Sequence, residues 1–189
     1  MAETIKCFSP VDGKLYASRP VASKKEIAAT FAAAHGAQEK WRKLPLAERA
    51  AYCLAAVDTM LAMRDEIVPE LAWQMGRPIR YGAGELRGFE ERARHMIAVA
   101  GDALANHVPA AKEGFTRFIQ REPWGVVFTI APWNYPYLTA VNSIIPALMA
   151  GNTVVLKHAS LTLLVAERFQ KAFDKAKLPK GVFQHLVMN

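Results

Sequence analysis

Residues 123–156 read PWGVVFTIAPWNYPYLTAVNSIIPALMAGNTVVL, and no charged side chain interrupts them. A run this long and this apolar raises the question of a membrane span, which needs about 20 consecutive apolar residues. Pro132, Pro136, Pro146 and Gly151, with Asn134, Asn142 and Asn152, break it up. In lipid such breaks would leave backbone groups without partners. A buried strand–helix–strand unit accounts for the same residues better. Val126–Ile130 is short, apolar and β-branched, which predicts a buried strand. Pro136 suits the first position of a helix. Leu138, Val141, Ile145, Leu148 and Met149 then fall on its buried side, with Pro146 a place for a kink and Gly151 as the stop. Thr153–Leu156 predicts a second buried strand.

Working outward, a further helix carries Leu164, Val165, Phe169, Ala172, Phe173 and Ala176 and ends at Pro179 and Gly181, and Val182–Val187 reads as a third strand. The order βαβαβ predicts a parallel sheet with right-handed crossovers, hence an α/β fold. Three parallel strands leave an apolar edge uncovered, so the fold is expected to be cut rather than finished at Asn189. Upstream, residues 20–105 read as an all-helical block. Ser23 with Glu26 forms a capping-box pattern for a helix from Lys24 to Trp41 or Lys43. A second helix starts at Pro45, with Ala50, Leu54, Val57 and Leu61 on one face. A third opens at Asp65 and stops at Gly76-Arg77-Pro78. A fourth is expected from about Gly84 to Leu104, with a stripe of Phe89, Ala93, Met96, Ile97 and Ala100. Residues 115–121 alternate as an extended segment, and Asp12-Gly13 places a turn between two short extended pieces in the first 20 residues.

Composition narrows the function classes. The 189 residues correspond to about one domain. Hydrophobic residues make up 52% and charged residues 22%, which is globular rather than disordered. The net charge of +7 is spread along helical patterns with acids among the bases and no block of like charge, so a solvated surface is expected rather than a nucleic-acid footprint. Met1–Lys6 is polar and charged, without the apolar core of a signal peptide. Cys7 and Cys53 are the only cysteines, which suits a reducing compartment and a cytoplasmic location.

Ligands of open α/β sheets bind beyond the carboxyl ends of the strands. Two loops are expected there, Ala131–Pro136 and Lys157–Ser160. In the first, two prolines stiffen the chain. Asn134 then either aims an amide donor at a developing oxyanion or caps the following helix. Trp133 and Tyr135 suit core contacts as well as ligand contacts. In the second, Lys157 can reach a ribose hydroxyl or a phosphate. Ser160 can bind a phosphate at a helix start or act as the N-cap, and His158 has the alternative of a structural role. No strand is followed by G-x-G-x-x-G, and no H-x-x-H, C-x-x-C or H-E-x-x-H spacing supports a metal.

The segments Arg121–Val127 (REPWGVV), Ala131–Pro136 (APWNYP) and Pro146–Lys157 (PALMAGNTVVLK), in this order and spacing, resemble the aldehyde dehydrogenase superfamily. Trp41-Arg42 and Met75-Gly76-Arg77-Pro78 in the helical block look like the same family. The resemblance covers nearly the whole chain but only the N-terminal part of the family's length. It implies a helical N-terminal part over 1–120 and a truncated Rossmann-like, dinucleotide-binding βαβαβ unit over 121–189, with the catalytic domain absent.

By the same resemblance, Asn134 is the residue that donates its amide to the substrate carbonyl oxygen, with Tyr135 where Phe is commoner. Ile130, Ala131, Pro132 and Trp133 line the nicotinamide side of the cofactor cleft. Lys157, with His158, Ala159 and Ser160, forms the adenosine-ribose side, His158 standing in place of a frequent Pro. NAD-preferring members often carry Glu at the position of Ser160, where it accepts from the ribose hydroxyls and repels a 2′-phosphate. Ser160 beside Lys157 therefore implies NAD(P), leaning to NADP or dual use. Segment 115–123 resembles the family's oligomerisation arm, implying a homo-oligomer in the complete enzyme, acting on a small-molecule aldehyde without nucleic acid or membrane. The family's nucleophilic Cys, Glu base and glycine motif lie downstream of the matched region, and neither Cys7 nor Cys53 matches the nucleophile. Without that thiol no thiohemiacetal forms and no hydride is released, so the chain alone is expected to be inactive. The rival readings are a non-catalytic pseudoenzyme or oligomerisation partner and, from charge alone, a nucleic-acid binder whose affinity falls with salt.

Overall fold

Turning at Asp12-Gly13, the chain first forms an antiparallel hairpin of β1 (Thr4–Phe8) and β2 (Leu15–Pro20). The computed structural model describes residues 3–189; Met1 and Ala2, the start of the polar lead-in, lie outside the described residues. Four long helices follow: α1 (Lys24–Trp41), α2 (Leu46–Ala62), α3 (Arg64–Met75) and α4 (Ile79–Ala98), with a short α5 (Ala100–Leu104). The capping box of α1 is formed: the Ser23 hydroxyl accepts from Glu26 N (3.2 Å), and the Glu26 carboxylate accepts from Ser23 N (2.8 Å).

Helix α4 starts at Ile79, five residues earlier than the expected Gly84, and gives way to α5 after Val99. The expected start leaves Gly82 outside the helix. Gly82 instead lets two helices approach, since a Cβ there would lie 2.8 Å from Val68 Cγ1 on α3. Tertiary contact outweighs the roughly 1 kcal/mol helix penalty of glycine.

The second half is the expected α/β unit. Strands β3 (Val126–Ala131), β4 (Thr153–His158) and β5 (Phe183–His185) form one parallel sheet in that order, with α6 (Pro136–Met149) and α7 (Val165–Lys175) as the crossovers. The third strand is shorter than Val182–Val187. β4 is the central strand, and Thr153 to Leu156 are fully buried. β3 departs from the expected buried strand: Phe128 and Ile130 are exposed, Ile130 at 68%. Period and composition report how apolar a strand is, whereas its place at the edge of the sheet is settled by long-range pairing. Segment 105–122 forms no strand and, with a turn at Gly114, holds only isolated bridges, His107 to Ile119 and Lys112 to Phe115.

One hydrophobic core joins α2, α3 and α4 to α6, β4 and α7. The carbonyls at the end of α6 are met from the helical block. Trp41 Nε1 donates to Leu148 O (3.0 Å), Arg49 Nε to Met149 O (3.1 Å) and Gln38 Nε2 to Gly151 O (3.2 Å). Gly151, with φ +89°, ends the helix in the left-handed conformation that glycine tolerates best.

Candidate functional site

Parallel pairing aligns Ile130 with Lys157 and Ala131 with His158. The loops that leave β3 and β4 therefore emerge side by side at the carboxyl end of the sheet. This brings together Ile130, Ala131, Pro132, Trp133 and Asn134 from one strand end and Lys157, His158, Ala159 and Ser160 from the next. Pro132, Trp133, Asn134 and Tyr135 are exposed, Ala131 is buried and Lys157 is half-buried.

Asn134 does not cap α6. Tyr135 occupies the N-cap position without a side-chain cap bond. The cap comes from α4: Glu85 Oε1 accepts from Tyr137 N and Leu138 N, each at 3.0 Å. A carboxylate there also suits the positive end of the helix dipole. The Glu85 side chain is fully buried, and its Oε2 accepts from Arg77 Nη1 at 2.6 Å. Arg77 in turn donates through Nη2 to the Asn134 carbonyl and holds its guanidinium 4.7 Å from the Tyr135 ring centroid. This clamp on the Asn134 backbone leaves the side-chain amide out of the capping role.

Sequence motifs mark Arg77 only as part of Met75–Pro78 and leave Glu85 unmarked. A signal existed. Glu85 lies four residues before Phe89 on the apolar stripe of α4, and a carboxylate on a buried stripe needs a partner.

Ser160 departs from the N-cap expectation. It opens a 3₁₀ turn, Ser160–Thr162, three residues before α7, with no side-chain cap bond, and it is exposed. Leu164 N, at the start of α7, donates instead to Gln74 Oε1 on α3 (2.8 Å).

His158 is a strut. Its Nδ1 accepts from Ala159 N (2.9 Å) and faces Thr162 Oγ1 (3.0 Å), which leaves the proton on Nε2 to bond Pro136 O (3.2 Å). The ring ties the β4 loop to the start of α6. Burial pushes its pKa down to about 4, partly offset by its bond to the Pro136 carbonyl, with Lys157 adding to the depression. Between pH 6.5 and 4 the unfolded chain therefore binds more protons at this site than the folded one. Stability is expected to fall by about 3 kcal/mol as pH drops through that window. His185, whose pKa is also lowered chiefly by burial, steepens the slope. Urea unfolding at pH 7 and pH 4.5 reads this directly; a His158→Gln chain with an unchanged pH slope would contradict it.

Neither thiol is suited to nucleophilic work. Cys7 is buried and donates to Leu161 O (3.3 Å), and burial raises its pKa. Burial pushes Cys53 up to about 12. Among the described residues no group of three or more His, Cys, Asp and Glu could hold a metal, and no helix is long and apolar enough to cross a membrane.

A sequence model described as the aldehyde dehydrogenase family matches residues 1–189. An NADP-dependent glyceraldehyde-3-phosphate dehydrogenase of Streptococcus equinus is 33% identical over 187 residues, covering 96% of this chain and 39% of that protein. Two crystal structures superpose with TM-scores of 0.90 at 28% identity. One is an NADP-dependent glyceraldehyde-3-phosphate dehydrogenase of Bacillus halodurans complexed with NADP, matched over 99% of this chain and 40% of that one. The other is an NAD-dependent benzaldehyde dehydrogenase of Corynebacterium glutamicum, matched over 99% and 41%. The chain thus spans about two fifths of the length of these proteins. With the family's motifs on adjacent strand ends and its fold over nearly every residue, the chain belongs to the aldehyde dehydrogenase family, corresponding to the N-terminal part of its structures.

Proposed function

We propose that this chain supplies the carbonyl-oxygen donor and one wall of the NAD(P) cleft for oxidation of an aldehyde to a carboxylic acid. The observation that carries this reading is the pairing of Ile130 with Lys157 and Ala131 with His158, which sets the two loops next to each other where open α/β sheets bind ligands. When bound, NAD or NADP supplies the hydride acceptor. The residues present fit such a group: an open apolar position at Ile130, a cation at Lys157 and an exposed hydroxyl at Ser160. The Asn134 amide, on a backbone gripped by Arg77, donates to the carbonyl oxygen as negative charge develops there. The nucleophilic thiol comes from outside this chain, because Cys7 and Cys53 are buried with raised pKa values.

Ser160 favours NADP or dual use, since it presents no negative charge to a 2′-phosphate and Lys157 is close in sequence. The relatives named above include both NADP-dependent and NAD-dependent enzymes. Calorimetric titration of the chain is expected to show NADP binding at least as tightly as NAD, and Ser160→Glu is expected to weaken NADP selectively. Rejection of NADP by the native chain would remove the lean, and aldehyde oxidation by the isolated chain would overturn the division of labour. Segment 115–123 suits an oligomerisation arm: Phe115, Phe118 and Ile119 present apolar surface, and the almost fully exposed Trp124 adjoins it. Light scattering over a concentration series reads that association.

A further inference from the structure

Ladder pairing between β3 and β4 ends at Ala131 and His158. Beyond that pair the two loops run on to Pro136 and to Thr162. Among the described residues, one hydrogen bond joins them there, from His158 Nε2 to Pro136 O at 3.2 Å. The other ring nitrogen organises the β4 loop. Ala159 N donates to Nδ1 at 2.9 Å, and Thr162 Oγ1 lies 3.0 Å from the same atom. These two residues bracket Ser160, which is exposed and makes no cap bond of its own. His158 and Thr162 are buried, so a partner lost there is costly to replace. On the far side, Pro136 opens α6 between neighbours that are already held. Arg77 bonds the Asn134 carbonyl, and Glu85 bonds the amides of Tyr137 and Leu138. A displacement of the Pro136 carbonyl therefore has little slack before it reaches Asn134, two residues back.

Resting on the cofactor reading above, we infer that His158 is a positioning residue whose ring fixes the turn carrying Ser160 and transmits binding of the adenosine end of the cofactor to the Asn134 amide. The neutral ring suits both tasks, because it has one acceptor and one donor. Burial keeps it neutral near pH 7. Groups that bind at Lys157–Ser160 draw on Ala159 and Thr162, the ring turns with them, and the Pro136 carbonyl follows its Nε2–H. A proline, which the family often has at this place, would stiffen the β4 loop but bring no donor to α6. Coupling of this kind needs a physical element that both sites bias, and the imidazole is that element.

The test is a ¹H–¹⁵N titration of the chain with adenosine 2′,5′-bisphosphate, and then with NADP. The bisphosphate carries the adenosine ribose and 2′-phosphate of NADP but no nicotinamide to touch the Asn134 loop. Saturable shifts are expected at Ala159 and Ser160 and, over the same concentrations, at the Asn134 side-chain amide. His158→Ala should weaken the bisphosphate about tenfold, the worth of roughly one or two hydrogen bonds, and abolish the Asn134 shift. His158→Asn returns an acceptor to the place of Nδ1 but does not reach Pro136. It should recover most of the affinity lost in the alanine variant and none of the Asn134 shift, a division that a purely stabilising role would not produce. Shifts at Ser160 without one at Asn134 in the native chain, an Asn134 shift retained in His158→Asn, native affinity in His158→Ala, or a response to NADP alone overturns the inference and leaves the cofactor reading standing. No response of Lys157–Ser160 to either ligand sinks the cofactor reading itself, and the coupling with it.

Discussion

Glu85→Ala is expected to lower the free energy of unfolding by about 3–5 kcal/mol, the cost of breaking a buried charge pair on one side only. The Glu85 side chain is fully buried and that of Arg77 is 12% exposed, so the stranded guanidinium reaches water only in part. The same change uncaps α6: the amides of Tyr137 and Leu138 lose the oxygen they share, a loss worth about 0.5–2 kcal/mol for a helix N-cap. Glu85→Gln retains an acceptor for those amides but not the charge, and should fall between the native protein and the alanine variant. Urea unfolding measures the sum. Hydrogen exchange at Tyr137 and Leu138 isolates the cap, and an Arg77→Met/Glu85→Gln double-variant cycle isolates the ion pair. A Glu85→Ala chain within 1 kcal/mol of the native one would show that the clamp on the Asn134 loop contributes little.

Phe169→Ala should cost a comparable amount, about 3–5 kcal/mol, by cavity formation. Phe169 is 2% exposed, and its ring lies 5.8 Å from Phe89 on α4, 5.7 Å from Tyr137 on α6 and 6.3 Å from Phe183 on β5. It therefore joins the helical block to both layers of the α/β unit. The expected consequence is cooperative: the variant unfolds at lower denaturant in one transition followed equally by helix signal and by tryptophan fluorescence. Two separated transitions would mean that the helices and the sheet hold together independently. Arg168 anchors the same helix from outside, with bonds to Glu66 and Glu70 on α3. Those partners are partly exposed and contribute less than the aromatic cluster.

The predicted helices α1, α2 and α3 and the strand–helix–strand core recur in the structure within a few residues. Each carries local punctuation: Ser23 with Glu26, Pro45, Gly76, Pro136 and Gly151. The errors fall where a local sign has a distant meaning. Gly82 falls outside the expected α4, yet it lies within the helix and serves as a contact with Val68. Val126–Ile130 reads as interior and lies at an edge, with Ile130 open. Ser160 reads as a cap, yet the Leu164 amide at the start of α7 is met by Gln74 from another helix.

The sequence by itself determined the α/β order, the two loops at the strand ends and the kind of chemistry their residues suit, because hydrophobic period and turn residues act over a few positions of chain. The tertiary structure alone decided which charges work together. Arg77 and Glu85 are separated by 52 residues or more from the amides and the carbonyl they serve, and the ring of His158 reaches back 22 residues to Pro136. Desolvation and hydrogen-bond geometry depend on distances in space, and those exist only once the core has closed around them.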